Sequence, residues 1–262
     1  MKHLLFAIIL LGNSVLYAQD LKFMEQDLLK EITAIRYWQE YTGNDSKINQ
    51  DDSLAQANTR LKTKLITYTA KNSQTIQYAF KALQDQGMTI ATSADKLFRI
   101  YSWDTWQGGT MHWFDNVYQF MDNKQSKSLS LTDKREEGDP GVWFSEIFTL
   151  QMDSNKTAYL GYCHAIYSTK DSYQGIKLFS IENGQLNDTL HLIKTKTGIR
   201  NELGFYFDFF SVVDRSERPV KLIYYYQNSK VLKIPLVLES GEVTSKFIEY
   251  IFTGHYFERR RK

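Results

Sequence analysis

The chain has 262 residues, of which 32 are Lys or Arg and 30 are Asp or Glu, and its formal net charge is +2. This near-neutral balance gives no support for a nucleic-acid partner, which usually requires a strongly basic face. The single cysteine, Cys163, excludes an internal disulfide. Aromatic residues make up 15% of the chain and favour β-structure, where flat rings pack on a pleated surface.

The N-terminus has the pattern of a secretory signal peptide. Lys2 and His3 precede an apolar run at 4–11, and Ala18 supplies a small residue before a cleavage point. The run is too short to span a bilayer as a stable helix. We therefore expect a signal peptide at 1–18, no transmembrane segment in the mature chain, and an exported protein, periplasmic or extracellular. A buried N-terminal helix is the alternative.

Residues 19–87 are expected to form a helical N-terminal region. Apolar residues recur at intervals of three and four over 20–42, again over 54–68, and again over 74–85. The apolar faces of the first two helices contain Leu21, Met24, Leu28, Ile32 and Ile35, and Leu54, Ala57, Leu61, Leu65 and Tyr68. Ser53 or Asp52 is the expected cap of the second helix.

Residues 88–262 are expected to form an antiparallel β domain. The predicted strands are 88–92, 97–103, 111–121, 127–131, 142–151, 157–167, 175–181, 185–194, 203–213, 220–227, 230–238 and 242–252. Tight turns separate most of them, and parallel pairs would need longer crossovers. The fold class is therefore α+β, with N-terminal helices packed on a large antiparallel β-meander that curves into a sandwich or open barrel. A similarity between 178–186 and 235–243 leaves a propeller-like array as the alternative.

The segment 93–121 concentrates the candidate site residues and is predicted to be a hairpin. If Gly108-Gly109 alone forms the turn, Asp104 and His112 lie on opposite faces of the hairpin. If the turn is the three-residue loop Gln107-Gly108-Gly109, Asp104 lies opposite His112 and can orient its imidazole. We take five residues as candidate ligand-binding residues: Trp103, Asp104, Trp106, His112 and Trp113.

The aromatic rings of this hairpin have two interpretations. At a wet surface they would stack on the apolar face of a sugar or another flat ligand, with nearby oxygens accepting hydroxyl hydrogen bonds. Alternatively they cover the core or hold the N-terminal helices on the sheet. Burial of Trp103, Trp106 and Trp113 together would favour the second interpretation.

Other sites receive weaker support. The histidines at 112, 164, 191 and 255 lack metal-binding spacing, so we expect no metal and no cofactor. A Cys163–His164 pair is not expected, because neighbours along a strand point to opposite faces. Five carboxylates in apolar strand contexts leave a paired-carboxylate hydrolase open: Asp104, Asp115, Glu146, Asp208 and Glu249.

The segment Tyr101-Ser102-Trp103-Asp104-Thr105, followed by Gly108-Gly109-Thr110-Met111-His112, resembles a group of uncharacterised exported bacterial proteins. The similarity extends to the signal peptide, the helical start and the C-terminal segment 250–257. It implies the location and the domain plan, and it implies no activity and no catalytic residues.

The sequence thus favours an exported, non-catalytic binding or interaction module. Its partner would be a small molecule, a glycan or an envelope protein. The alternative is an exported hydrolase that acts on a carbohydrate or a cell-envelope polymer.

Overall fold

The computed structural model describes residues 2–43, 48–132, 135–136 and 138–260, and for residues 2–18 it describes the backbone alone. It confirms the α+β class: N-terminal helices pack against antiparallel sheets, and the described strands form no closed barrel. No described helix is both long enough and apolar enough to cross a membrane. The side chains of the predicted signal peptide lie outside the described part of the chain, so its cleavage stays a prediction.

The helical part contains α1 (Lys2–Gln39), α2 (Gln50–Lys71) and the short α3 (Lys81–Asp85). The cap of α2 is Asn49, whose side chain accepts a hydrogen bond from the Asp52 amide at 3.2 Å, and not Ser53 or Asp52 as expected. The helix therefore begins four residues before Leu54, the first residue of its apolar face, and the Asn49 oxygen satisfies an otherwise unpaired amide of the first turn.

The third predicted helix, at 74–85, is interrupted. Residues Ser73–Ile76 form a 3-10 turn, and Phe80 takes a left-handed conformation with φ 46° just before α3. The buried Arg99 guanidinium donates to the carbonyls of Thr75 and Tyr78, each at 2.7 Å. These carbonyls would serve as acceptors within a continuous helix. The hydrogen bonds from Arg99 thus replace hydrogen bonds within a helix. The spacing of apolar residues does not reveal a tertiary contact of this kind.

Fifteen strands follow in the described part of the chain, and most predicted strands match one of them within a few residues. In chain order they are β1 (Thr89–Thr92), β2 (Phe98–Asp104), β3 (Phe114–Asp122), β4 (Gln125–Leu129), β5 (Trp143–Gln151), β6 (Thr157–Ile166), β7 (Asp171–Glu182), β8 (Gln185–Asn187), β9 (Ile193–Thr195), β10 (Gly198–Arg200), β11 (Glu202–Asp208), β12 (Tyr224–Tyr226), β13 (Val231–Val237), β14 (Val243–Phe252) and β15 (Phe257–Arg259). Two strands, β10 and β15, were not predicted, and the predicted strand 185–194 is divided into β8 and β9.

The strands are divided among three sheets. Sheet A has the order β1-β2-β3-β4, sheet B has the order β11-β7-β6-β5 with β8 beside β7, and sheet C has the order β10-β9-β15-β14-β13-β12. All pairs are antiparallel except β15 with β9. The chain between those two strands is long enough to supply the crossover that a parallel pair needs.

The hydrophobic clusters show that the helices and sheets are stacked in layers. Leu61 of α2 packs with Tyr101 and Trp103 on one face of sheet A. The other face of sheet A contributes Phe98 and Tyr118 to a cluster with sheet B. The far face of sheet B packs on sheet C through residues that include Leu160, Leu178, Leu232 and Phe252. Sheet B is therefore covered on both faces, and its alternating side chains face two different interfaces.

Candidate functional site

The segment that joins β2 to β3 is a loop over 105–113, so both predicted tight turns are wrong. Asp104 pairs with Phe114 across the two strands. The pairing extends only to Thr105, whose amide donates to the Trp113 carbonyl at 2.8 Å. Asp104 also accepts a hydrogen bond from the Trp106 amide at 2.9 Å, which turns the chain away from the strand direction.

The loop nevertheless brings Asp104 and His112 together. Asp104 Oδ2 lies 2.5 Å from His112 Nδ1. The His112 amide donates to the carbonyl of Ile166, at the end of β6, at 3.0 Å. Thirty per cent of the His112 side chain is exposed, against 15% of the Asp104 side chain. The carboxylate therefore orients an imidazole whose Nε2 has no partner among the described residues.

The five candidate residues do not form one surface. Trp103 is 4% exposed and donates through Nε1 to Asn58 of α2 at 3.0 Å, so it belongs to the helix–sheet core. Trp106 is 39% exposed and meets the His112 ring edge-on, with centroids 5.7 Å apart. Trp113 is partly buried and packs beside Gly108. No coplanar platform for a flat sugar is formed by these rings.

The five candidate carboxylates each have a partner of their own. Asp104 contacts His112, and Asp115 contacts Lys62 at 3.2 Å. Glu146 lies 2.5 Å from Lys221, Glu249 lies 3.0 Å from Lys233, and Asp208 caps the 3-10 turn Phe209–Val212. They lie on three different sheets, which gives no support for a shared hydrolytic pair.

Sequence reasoning missed a second site, a pocket of about 540 Å³ between sheets A and B. From sheet B, Cys163, Tyr173, Lys177, Glu202 and Tyr206 line it. On the same face Cys163 pairs with Gly175, and Gly175 pairs with Gly204. The two glycines leave space that the Tyr173 side chain occupies. Isolated glycines within predicted strands were the available signal.

Tyrosines form much of the remaining wall. The side chain of Tyr173 lies over the glycine pair, since a Cβ on Gly175 would be only 2.5 Å from its hydroxyl. Tyr173 and Tyr167 each contact Tyr206, with ring centroids 5.2 Å apart. Described residues that line the pocket are Asn116, Tyr118, Leu131, Thr132, Arg135, Glu136, Asp139, Gly141, Val142, Phe144, Cys163, Tyr167, Tyr173, Lys177, Asp188, Asn201, Glu202 and Tyr206.

Tyr118 is the most informative of these residues. Only 5% of it is exposed, and its hydroxyl has no hydrogen-bond partner among the described residues. Burial raises the pKa of Tyr118 above its ordinary value, so the hydroxyl stays protonated. Tyr118 lines the pocket, so a bound ligand or an ordered water can accept the proton of its hydroxyl.

The charges around the pocket are unequal. Its two described cations already have carboxylate partners: Lys177 lies 3.4 Å from Asp188, and Arg135 lies 3.7 Å from Asp115. Three other carboxylates in the wall have no salt bridge to a described cation: Glu136, Asp139 and Glu202. Asp139 accepts one hydrogen bond from the Gly141 amide at 2.8 Å. The described wall therefore carries excess negative charge.

The thiol in the pocket is not activated. Burial raises the pKa of Cys163 to about 12, so it is a neutral thiol near pH 7 and a poor nucleophile. His164 lies on the opposite face of β6, where its Nε2 is 2.8 Å from Ser145 Oγ and its ring stacks on Trp143. The two residues therefore form no catalytic pair, in agreement with the strand geometry expected from the sequence.

A second, larger space of about 1570 Å³ lies over one face of sheet C. Its lining combines charged side chains, such as Lys194, Lys233 and Arg259, with the apolar Phe247 and Ile248. Among the described residues, no group of three or more His, Cys, Asp or Glu side chains is arranged to hold a metal ion.

Comparisons with protein-family models, with curated proteins and with solved structures gave no match for this chain. The functional argument therefore depends on the geometry of the two sites.

Proposed function

We propose that the protein is an exported, non-catalytic binding module that holds a small polar ligand between sheets A and B. The observation that carries the proposal is Tyr118, a largely buried residue that lines the pocket and whose hydroxyl has no hydrogen-bond partner among the described residues. This hydroxyl is available to form a hydrogen bond with a ligand in the pocket. The pocket volume of about 540 Å³ lies within the range of small-molecule sites.

The composition of the wall supports binding more than catalysis. The Cys163 thiol is protonated at neutral pH, and the tyrosine hydroxyls are held neutral because burial raises the pKa values of Tyr118 and Tyr173. These groups can form hydrogen bonds to a ligand and are not poised to attack it. Export is supported by the N-terminal pattern of a basic start, an apolar run and a small residue at Ala18.

A small-molecule screen by native mass spectrometry tests this proposal on the wild-type protein and on Tyr118→Phe. The substitution removes only the hydroxyl. The matched control is Tyr250→Phe, because Tyr250 has a similar burial of 7% exposed and lies on sheet C, outside the pocket. We expect ligands whose binding is weakened by Tyr118→Phe and unchanged by Tyr250→Phe. Binding that is insensitive to Tyr118 would contradict the proposal.

The Asp104–His112 contact favours a second candidate, an exported hydrolase acting on a carbohydrate or an envelope polymer. A carboxylate-oriented imidazole with an available Nε2 has the arrangement of a general base. The test is hydrolysis of soluble glycans and peptidoglycan fragments by the wild type and by His112→Gln. If the protein is such a hydrolase, the wild type should hydrolyse at least one of these substrates and His112→Gln should not. If neither protein hydrolyses them, the hydrolase is excluded for those substrates.

A further inference from the structure

We propose that the pocket between sheets A and B selects an organic ammonium ion, a proposal that rests on the binding function above. The first argument is charge. Lys177 and Arg135 are each paired with a carboxylate, at 3.4 and 3.7 Å. Glu136, Asp139 and Glu202 form no salt bridge with a described cation, although Lys177 lies opposite Glu202 across the strands. The four described carboxylates that line the pocket still outnumber its two described cations, so a cationic ligand would balance the wall. An anionic ligand would add to the unbalanced charge.

The second argument is the shape of the tyrosine cluster. The rings of Tyr167 and Tyr206 are inclined at 58°, and those of Tyr173 and Tyr206 at 56°. Inclined rings present a concave aromatic corner, whereas a flat sugar face prefers a parallel ring. A rounded ammonium group is attracted to the electron-rich faces of several tyrosines at once. Tyr206 is 61% exposed, which leaves its ring accessible from solvent.

The third argument is the neutral, partnerless hydroxyl of Tyr118. It lies on the sheet A side of the pocket, whose sheet B side includes Cys163 and Tyr173. A ligand that carries a hydroxyl or an N–H group next to its ammonium centre would bond this phenol while the cation contacts the tyrosines and carboxylates. Small amino alcohols and amino sugars have this combination of groups.

The experiment compares ligands that differ in charge and little in shape. Isothermal titration calorimetry with the full chain would use choline against its neutral isostere 3,3-dimethylbutan-1-ol, and glucosamine against N-acetylglucosamine. We expect choline or glucosamine to bind at least ~10-fold more tightly than its neutral counterpart, since one cation–π contact contributes a factor of ~5 and the carboxylates add to it. Binding should weaken as salt concentration rises.

Two variants test whether the preference for a cationic ligand depends on this pocket. Glu202→Gln removes one carboxylate and Tyr206→Leu removes one aromatic wall, and both residues are exposed enough to limit effects on folding. The matched controls are Glu239→Gln, an exposed carboxylate at the β13–β14 turn, and Tyr226→Leu, a 48% exposed tyrosine of sheet C. We expect each pocket variant to weaken choline binding by ~5-fold or more, and each control to leave it unchanged.

The possible outcomes separate this proposal from the binding function itself. Equal affinity for charged and neutral members of both pairs, with sensitivity to Tyr118→Phe, overturns the ammonium proposal and retains the binding pocket. Binding of neutral sugars in the pocket, without binding of choline or glucosamine, would likewise overturn the ammonium proposal and retain the binding pocket. If choline binding is weakened equally by the pocket variants and by the controls, the attraction is general surface charge, and the ammonium site is rejected.

Discussion

Gly175 of β7 lies directly opposite Gly204 of β11, and the side chain of Tyr173 covers the space that both residues leave open. Cys163 of β6 completes the same row on the other side of Gly175. The two glycines therefore let the Tyr173 side chain lie across the sheet, where it forms part of the pocket wall.

Adding one methyl group to each glycine should have unequal effects. A Cβ on Gly204 would be 2.7 Å from the Gln174 carbonyl as well as close to Tyr173, and the backbone cannot move aside easily. A Cβ on Gly175 has the movable end of the Tyr173 side chain as its nearest contact. We expect Gly204→Ala to lower the free energy of unfolding by about 1–3 kcal/mol, and Gly175→Ala to lower it less. Urea denaturation measures both, and the reverse order would contradict the structure.

Two buried tyrosines should respond differently to loss of their hydroxyls. Tyr118→Phe should leave the free energy of unfolding unchanged or raise it, because the hydroxyl has no described protein partner. The comparison is Tyr101→Phe, since the Tyr101 hydroxyl donates to Gln119 at 2.8 Å and is fully buried. That variant should be destabilised by about 1–3 kcal/mol. Similar losses in both variants would show that Tyr118 has a protein partner.

The buried His164 predicts a pH dependence of stability. Burial lowers the pKa of His164 to about 3, with a smaller contribution from Lys221. The unfolded chain therefore takes up a proton on this residue near pH 6.5, while the folded chain does not. Its contribution to stability is complete above pH 6.5 and is lost progressively as the pH falls toward 3.

Replacing His164 isolates that contribution. Between pH 6 and 5, which lies above most carboxylate titrations, His164→Gln should reduce the slope of unfolding free energy against pH by about 1.4 kcal/mol per unit. His255→Gln is the control for removal of a histidine, because the His255 side chain is exposed and lies 3.3 Å from Asp153, whereas His164 is buried. Chemical denaturation across this pH range provides the slopes, and equal slopes for wild type and His164→Gln would contradict a buried neutral imidazole.

The loop 105–113 should depend on Asp104. Its carboxylate accepts from the Trp106 amide and contacts His112, so Asp104→Ala removes two constraints on the loop at once. We expect faster amide hydrogen exchange within 105–113 and little change in the exchange of β2 and β3. His112→Ala should produce part of the same effect. Unchanged exchange in the loop would show that other contacts hold it.

The sequence predicted the helices and most strands because their apolar periodicity agrees with the tertiary packing. Leu28, Ile32 and Ile35 of α1 are buried against α2 as their spacing requires. The prediction of one continuous helix at 74–85 was wrong. Arg99 lies 14 residues beyond that segment and donates hydrogen bonds to two of its carbonyl groups. A bond of this kind depends on the fold and leaves no local pattern.

The candidate site was predicted in part. The residues around Gly108-Gly109 do form a loop, and Asp104 does contact His112. The cause is not a tight turn but two hydrogen bonds, one from the Trp106 amide to Asp104 and one from the His112 amide to the Ile166 carbonyl. Trp103 belongs to the core, since the amphipathic indole that suits a ligand surface equally suits a buried bond to Asn58. The pocket required the pairing of Gly175 with Gly204, and strand register between distant segments is not visible in one sequence.

The central claim is that a ligand enters between sheets A and B, and amide NMR spectra recorded during a choline titration test it most directly. The account predicts concentration-dependent shifts at the backbone amides of Cys163, Tyr173, Lys177 and Glu202, which line the pocket, and smaller shifts at the same choline concentration in Tyr206→Leu. Shifts confined to the loop 105–113 or to sheet C, with these four amides unchanged, would contradict it.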